Sequence, residues 1–268
     1  MLPITESDRG SRENRGIDVD VNVLVLPCGS SGDQAGVNGE TSHMSSRGLG
    51  FVAVWLCTLA GIVLLGSSPA IAQTLSVEET ENLVRAMYFE GMPEDEATRI
   101  GPEGAARLIE MLEDPNERAS HGQILLALGL CGAPDALPAI VLWIDQLSDA
   151  GANGEIDRSL FKAWQALPFA LGHLSRFDRR ALRPLEEMMQ DESPNWTFRR
   201  HDGPKLRRLA HRAAATSLAE TGLPEARRAL DRASRDLSRL DRDEGFAEHL
   251  QNARRLHSDR VREGEVSR

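Results

Sequence analysis

Tyrosine occurs once in this 268-residue chain, and the three aromatic types together supply only 4% of it. The aromatic and β-branched runs that build sheets are missing beyond Gln73, as is any strict alternation of apolar and polar residues, so no strand is expected there. Alanine, leucine, arginine and glutamate dominate instead, and these favour helix. Cysteine is equally scarce. Cys28 and Cys57 precede the expected start of the mature chain, which leaves Cys131 alone and excludes an internal disulfide there. Stability must then come from packing. The only lysines beyond Gln73 are Lys162 and Lys205, so positive charge is carried by arginine, a mark of GC-rich coding that says nothing of function.

Chemical signatures are also missing. No His-Glu-x-x-His, no Cys/His cluster at zinc spacing, no Gly-x-Ser-x-Gly and no phosphate-cradling glycine loop occurs. A hydrolase or kinase reading has no support, and no cofactor is expected. Acidic pairs such as Glu94/Glu96 and Glu186/Glu187 read as solvated helix ends, because acid-base catalysis needs carboxylates that converge in different environments. Cys131 falls on an apolar stripe with no basic neighbour to lower its pKa, and reads as an inert core residue.

One long apolar run is present. From Met44 to Ala72 the chain reads MSSRGLGFVAVWLCTLAGIVLLGSSPAIA: one arginine, an uncharged apolar stretch, then small residues ending Ala70-Ile71-Ala72. This is the form of a secretory signal cleaved before Gln73. Ahead of it, residues 1–43 carry seven acidic residues against Arg9, Arg12 and Arg15, unlike the positive flank that export requires. The expectation is that Met44 is the initiator and residues 1–43 are a disordered or wrongly included extension. The alternative keeps Leu49 to Leu65 as a membrane anchor, at the lower limit of about 17 residues. A lipoprotein reading of Cys57 fails on Leu56, where a small residue belongs.

Self-similarity marks the remainder. LGLCGAPDALPAIVLWI begins at Leu128, LGHLSRFDRRALRPLEEMM at Leu171 and LAETGLPEARRALDRA at Leu218, at spacings of 43 and 47 residues. These match the period of about 40 to 47 residues of two-helix repeats. A fainter copy runs from Val84 through Leu112. In the best unit Asp114 is the expected N-cap with Pro115 at the first helical position and Glu117 completing a capping box. Ile124, Leu125, Leu128 and Cys131 form a stripe, Gly132 ends the helix, and Pro134 opens a second one whose Leu137, Ile140, Val141 and Ile144 face the first. The last unit repeats this with Ala214, Leu218, Gly222, Pro224, Ala226 and Leu230. In the middle unit Pro168 is expected to kink its helix.

Through Leu128 to Pro138, Leu-Gly-x-x-Gly-x-Pro-x-Ala-Leu-Pro, the chain resembles the HEAT-repeat family, especially the HEAT-like repeats related to bilin lyases. The resemblance spans roughly Val77 to Leu237. It implies an all-α fold, a short α-solenoid of about four HEAT-like helical pairs, and a protein-binding scaffold in preference to an enzyme. The organisation expected is a repeat domain over 73–240 followed by a charged helical tail over 241–268, with a capping helix broken near Gly245 and then fraying.

Two segments interrupt the repeats. Ser148 to Asp157 reads as a flexible loop. Asp191 to Pro204 has no helical pattern and combines Trp196 and Phe198 with Arg199 and Arg200. Aromatic and arginine side chains together are common at recognition loops, although both rings can equally fold back to cap neighbouring helices. Charge sharpens the point. Gln73 to Phe198 holds 22 acidic and 10 basic residues, while Arg199 to Arg268 holds 12 acidic and 17 basic. The densest basic cluster is Arg199, Arg200, Lys205, Arg207, Arg208 and Arg212, and with Trp196 and Phe198 it forms the candidate partner-binding set.

Export directs that set toward an acidic protein or an anionic envelope polymer, not nucleic acid; a membrane is a partner only if residues 49–65 stay uncleaved. The leading expectation is an exported, periplasmic or extracellular, non-enzymatic scaffold. The alternatives are a lyase-like or cofactor-handling protein using Cys131 or histidines, and a membrane-anchored assembly factor. His121, Trp164 and His211 align under the repeat spacing and are expected to form a ladder of buried, satisfied side chains.

Overall fold

The structure is a computed structural model that describes residues 73–88, 91–150, 154–190, 194–236 and 245–266. The signal segment, the anchor alternative and the 1–43 extension lie outside these residues. Among the described residues the protein is all-α, with no strand and three isolated bridges, Leu75 with Ile100, Glu155 with Thr197 and Phe198 with His201. No described helix is long and apolar enough to cross a membrane.

Several helices begin where a short polar side chain caps the first turn or a proline removes one of its unpaired donors. Ser76 and Glu79 form a reciprocal capping box ahead of α1, Val77–Arg85. A single turn, α2, Glu94–Ala97, leads to α3, Pro102–Glu113, which has proline in its first turn. Asp157 accepts from the backbone of Ser159 and Leu160 at the start of α6, Arg158–Leu174. Asp202 does the same for Lys205 at the start of α8, Gly203–Glu220. Between these lie α4, His121–Cys131, α5, Ala136–Ala150, and α7, Leu182–Gln190; α9, Pro224–Ala233, and α10, Phe246–Val266, complete the order.

The grammar expected around Asp114 is realised only in part: Glu117 pairs with Arg85 and the Asp114 N–H donates to the Met111 carbonyl, so no capping box forms, and the second helix opens at Ala136, not at Pro134. The Asp114 carboxylate accepts from the Asn116 backbone at 2.8 Å, so the chain turns within two residues and forms a 3-10 helix, Pro115–Ser120, before the α-helix starts at His121. Gly132 ends α4 in the left-handed region at φ 65°. The expected one-sided stripe on α4 is wider than its pattern implied: Ala127, Gly129 and Leu130 are buried as well as Ile124, Leu125 and Leu128. The reason is that α3, α5 and α6 all pack on it, and a helix surrounded on several sides is apolar all round.

On α5 the stripe is rotated from its expected centre. Trp143 and Leu147 join Leu137 and Ile140 in the core, and Val141, about a quarter turn away, faces solvent. α6 runs through Pro168 without a break, and that residue is buried.

Helix packing follows an alternating order: α4 lies on α6, α6 on α8 and α8 on α10, while α7 contacts both α8 and α9. Small residues set the closest approach. Gly122 faces Ala163 and Gly129 faces Ala170, so α4 and α6 run parallel at constant register. A Cβ at Gly129 would stand 2.4 Å from the Ala170 carbonyl oxygen, a separation that only glycine permits. Further along, Gly172 faces Ser217 on α8.

The aligned positions form a second regularity. His121 meets Trp143 edge-on, Trp164 meets Trp196 edge-on, and His211 packs on Phe246 with ring centroids 5.2 Å apart. Each buried side chain is thus covered by an aromatic from a later segment. The charged tail is better packed than its sequence implied. Gly245 takes φ 77°, and the helix that follows buries Phe246, Leu250, Ala253 and His257 at steps of four, three and four residues. Three of those four belong to the same apolar core as α4 to α9.

Candidate functional site

The segment from Pro194 to His201 has few hydrogen-bonding options of its own, since it precedes α8 and lacks helical pattern. It satisfies its backbone by lying beside residues 154–156. Thr197 donates to the Gly154 carbonyl at 3.0 Å, and Ile156 donates to the Thr197 carbonyl at 2.9 Å. Phe198 and His201 then exchange both backbone hydrogen bonds, at 3.2 and 2.8 Å, and close a two-residue turn around Arg199 and Arg200.

Arg199 holds φ 50°, the only positive φ of a non-glycine residue among the described residues. Such a conformation costs about 1 kcal/mol for a residue with a Cβ and persists when its surroundings over-determine it. Two restraints do so. The Glu155 carboxylate accepts the Arg199 N–H at 2.8 Å. Beneath the turn, Phe161 of α6 stacks on Phe198 with centroids 4.0 Å apart and planes 10° from parallel, and His201 lies parallel to both rings.

The candidate residues divide accordingly. Trp196 and Phe198, at 4% and 7% exposure, are buried against Trp164 and Phe161 and offer no ring to a partner. They fold back and cap the neighbouring helices. Arg199, Arg200 and Lys205 are exposed, and Lys205 Nζ donates to the Arg200 carbonyl at 3.5 Å. The Arg199 guanidinium also lies 5.2 Å from the Phe198 ring centre, within reach of a cation–π attraction.

Arg207, Arg208 and Arg212 are half-buried along α8, and Arg212 reaches Gly245 at the start of α10. Two of the six basic residues, Arg199 and Arg200, lie at the turn, and Lys205, Arg207, Arg208 and Arg212 follow along α8, the last three of them half-buried.

Glu155 and Phe161, which hold the turn, were not among the sequence candidates. Glu155 does fall within the interruption at 148–157, but nothing in the sequence pairs that loop with Thr197 or Phe198.

His121, one of the groups that a cofactor reading invokes, is committed to structure. Trp143 Nε1 donates to His121 Nδ1 at 3.1 Å, and since an indole only donates, Nδ1 is the acceptor and the ring proton sits on Nε2, facing the Asp114 carbonyl at 3.4 Å. Burial pushes the His121 pKa below its ordinary value, against the opposing pull of the Asp114 carbonyl. Burial lowers His173 in the same direction and raises the Cys131 thiol, whose Sγ contacts the Leu128 carbonyl at 3.6 Å. A raised thiol is a poor nucleophile. Among the described residues no three His, Cys, Asp or Glu side chains gather to hold a metal ion.

Comparison of the sequence with family models, with curated proteins and with solved structures found no match.

Proposed function

We propose that this chain is a non-enzymatic binding scaffold: an exported α-solenoid of HEAT-like helical pairs that engages an acidic envelope protein through the Arg199–Arg200 turn and Lys205. The observation that carries the reading is the turn itself. Two adjacent arginines stand exposed at the turn, Arg199 in a strained backbone held by the Glu155 carboxylate from another loop, above a stacked aromatic base. Strain and rigidity at an exposed basic tip have no use in packing, because the packed groups are Phe198 and Trp196 beneath it. A rigid tip loses little entropy on binding, which favours affinity.

The solenoid part of the proposal draws support from the succession α4 on α6, α6 on α8 and α8 on α10, and from the recurring covered positions at His121, Trp164 and His211. Stacked pairs of this kind need a terminal element over the last apolar face, a part that α10 suits. Export rests on the sequence of Met44 to Ala72 alone.

The test compares wild type with Arg199→Ala/Arg200→Ala/Lys205→Ala in a pull-down from the host's envelope fraction. The expected result is loss of acidic partners, with capture by wild type weakening as salt rises. An identical set of partners from both proteins refutes the proposal. Thermal melts of the two should coincide, since all three side chains are exposed.

A further inference from the structure

A groove of about 430 Å³ opens between α9 and α10, on residues that take no part in the Arg199 turn. No apolar residue lines it. Its walls are Arg227, Arg254, Arg255 and Arg262 with Gln251, Ser258 and Asp259, spaced so that one face of α10 contributes at every turn over about 16 Å. Four guanidiniums in one groove repel one another, and two carboxylates only partly offset them. Asp231 bridges Arg227 at 3.4 Å and Arg254 at 2.7 Å, and Asp259 pairs with Arg262.

These bonds orient the arginines more than they consume them. Arg227 Nη1 donates to the Arg254 carbonyl at 3.1 Å and to Ser258 Oγ at 3.0 Å, fixing its plane, while Arg254 Nε lies beside the Asp231 carboxylate as an ion pair. A guanidinium has five N–H donors, so each keeps some for a ligand. Arg255 is exposed between them and makes no ion pair among the described residues. Pre-oriented planar donors converging with a net positive charge recognise groups carrying several oxygens in a fork, above all phosphate.

We propose that this groove is a phosphate-binding site, in which Arg255 and the outward donors of Arg227, Arg254 and Arg262 grip a phosphate group carried by a small molecule or by a polyanionic chain. It is separate from the Arg199 turn. The turn precedes the N-terminus of α8, and Arg227 follows its C-terminus by a short loop, at the far end of an 18-residue helix. The proposal does not rest on the function proposed above.

Calorimetric titration of the full chain with inorganic pyrophosphate, and separately with long-chain polyphosphate, at physiological salt tests it. Wild type should bind, and Arg255→Ala/Arg262→Ala should bind at least about tenfold more weakly, the scale of losing one or two charge-assisted forks. Arg255→Lys should fall between them, and Arg199→Ala/Arg200→Ala/Lys205→Ala should match wild type. Tighter binding of pyrophosphate per phosphate assigns the groove to a free phosphate ligand, and tighter binding of polyphosphate assigns it to a chain. Absence of binding by wild type, equal binding by the groove variant, or loss of binding in the turn variant overturns the proposal. Because Arg255 and Arg262 are exposed, matched thermal melts distinguish lost binding from lost fold.

Discussion

Replacing Gly129 with alanine measures how closely α4 and α6 must approach. In an isolated helix the change is favourable by about 1 kcal/mol, since glycine has the larger backbone entropy. In this protein the new Cβ would stand 2.4 Å from the Ala170 oxygen and 2.9 Å from the Ala170 Cα. Those are backbone atoms and cannot swing aside as a flexible side chain does, so the two helices must separate. Overpacking of a core costs about 1 to 3 kcal/mol, and backbone overlap belongs at the upper end. The net expectation is a loss of about 2 kcal/mol, read as a lower urea midpoint at unchanged slope. For a protein of this size the melting temperature should fall by about 4 to 8 °C.

Gly122→Ala is the control on the same helix, where the added Cβ meets Ala163 Cα at 3.6 Å, an ordinary contact. It should be neutral or stabilising by a few tenths of a kcal/mol. If the two variants unfold at the same urea concentration, the close register of α4 on α6 is wrong.

Acid should weaken the fold before any carboxylate titrates. His121 and His173 are held below their ordinary pKa by burial, so the unfolded chain takes up protons that the folded chain refuses; the stability they contribute is present above about pH 6.5 and lost as pH falls, by up to about 1.4 kcal/mol per pH unit for each. Urea midpoints at several pH values check this, and His121→Leu, though less stable throughout because Trp143 loses its acceptor, should show a shallower decline. At the basic turn, Arg199→Gly should be more stable than Arg199→Ala by about 0.5 to 1 kcal/mol, since alanine keeps the left-handed strain and glycine removes it; equal melting temperatures would contradict the strained turn. Phe246→Ala should cost about 3 to 5 kcal/mol by opening the seam between α8 and α10, and should expose the last helix to proteolysis ahead of the rest.

The helices themselves were legible in the sequence because their signals are local. Gly132, Gly222 and Pro224 act within a few positions, and the structure follows them, whereas Asp114 caps a 3-10 turn and Pro134 precedes its helix. Burial patterns were legible only in part. A stripe at three- and four-residue steps shows that a helix packs, but how many neighbours surround it is a property of the whole fold, which is why α4 is buried so widely and α5 turns Val141 outward.

Candidate residues divided along the same line. Composition drew attention to the basic residues near Trp196, and Arg199, Arg200 and Lys205 do stand exposed. Whether Trp196 and Phe198 joined them or turned inward depended on Phe161 and Trp164, some 30 residues upstream, and no periodicity links those positions. The tail was expected to be a charged helix and the structure places a helix there, but the face on which Ala253 and His257 join Phe246 and Leu250 matters only once α8 and α9 supply a surface. Sequence by itself determined that the described chain is helical, where α4 stops at Gly132 and which amino acids carry the positive charge, because those follow from bonds spanning a few residues. Tertiary structure alone decided which rings are covered, which arginines converge and how near two backbones come, because these depend on contacts between segments that the chain order keeps far apart.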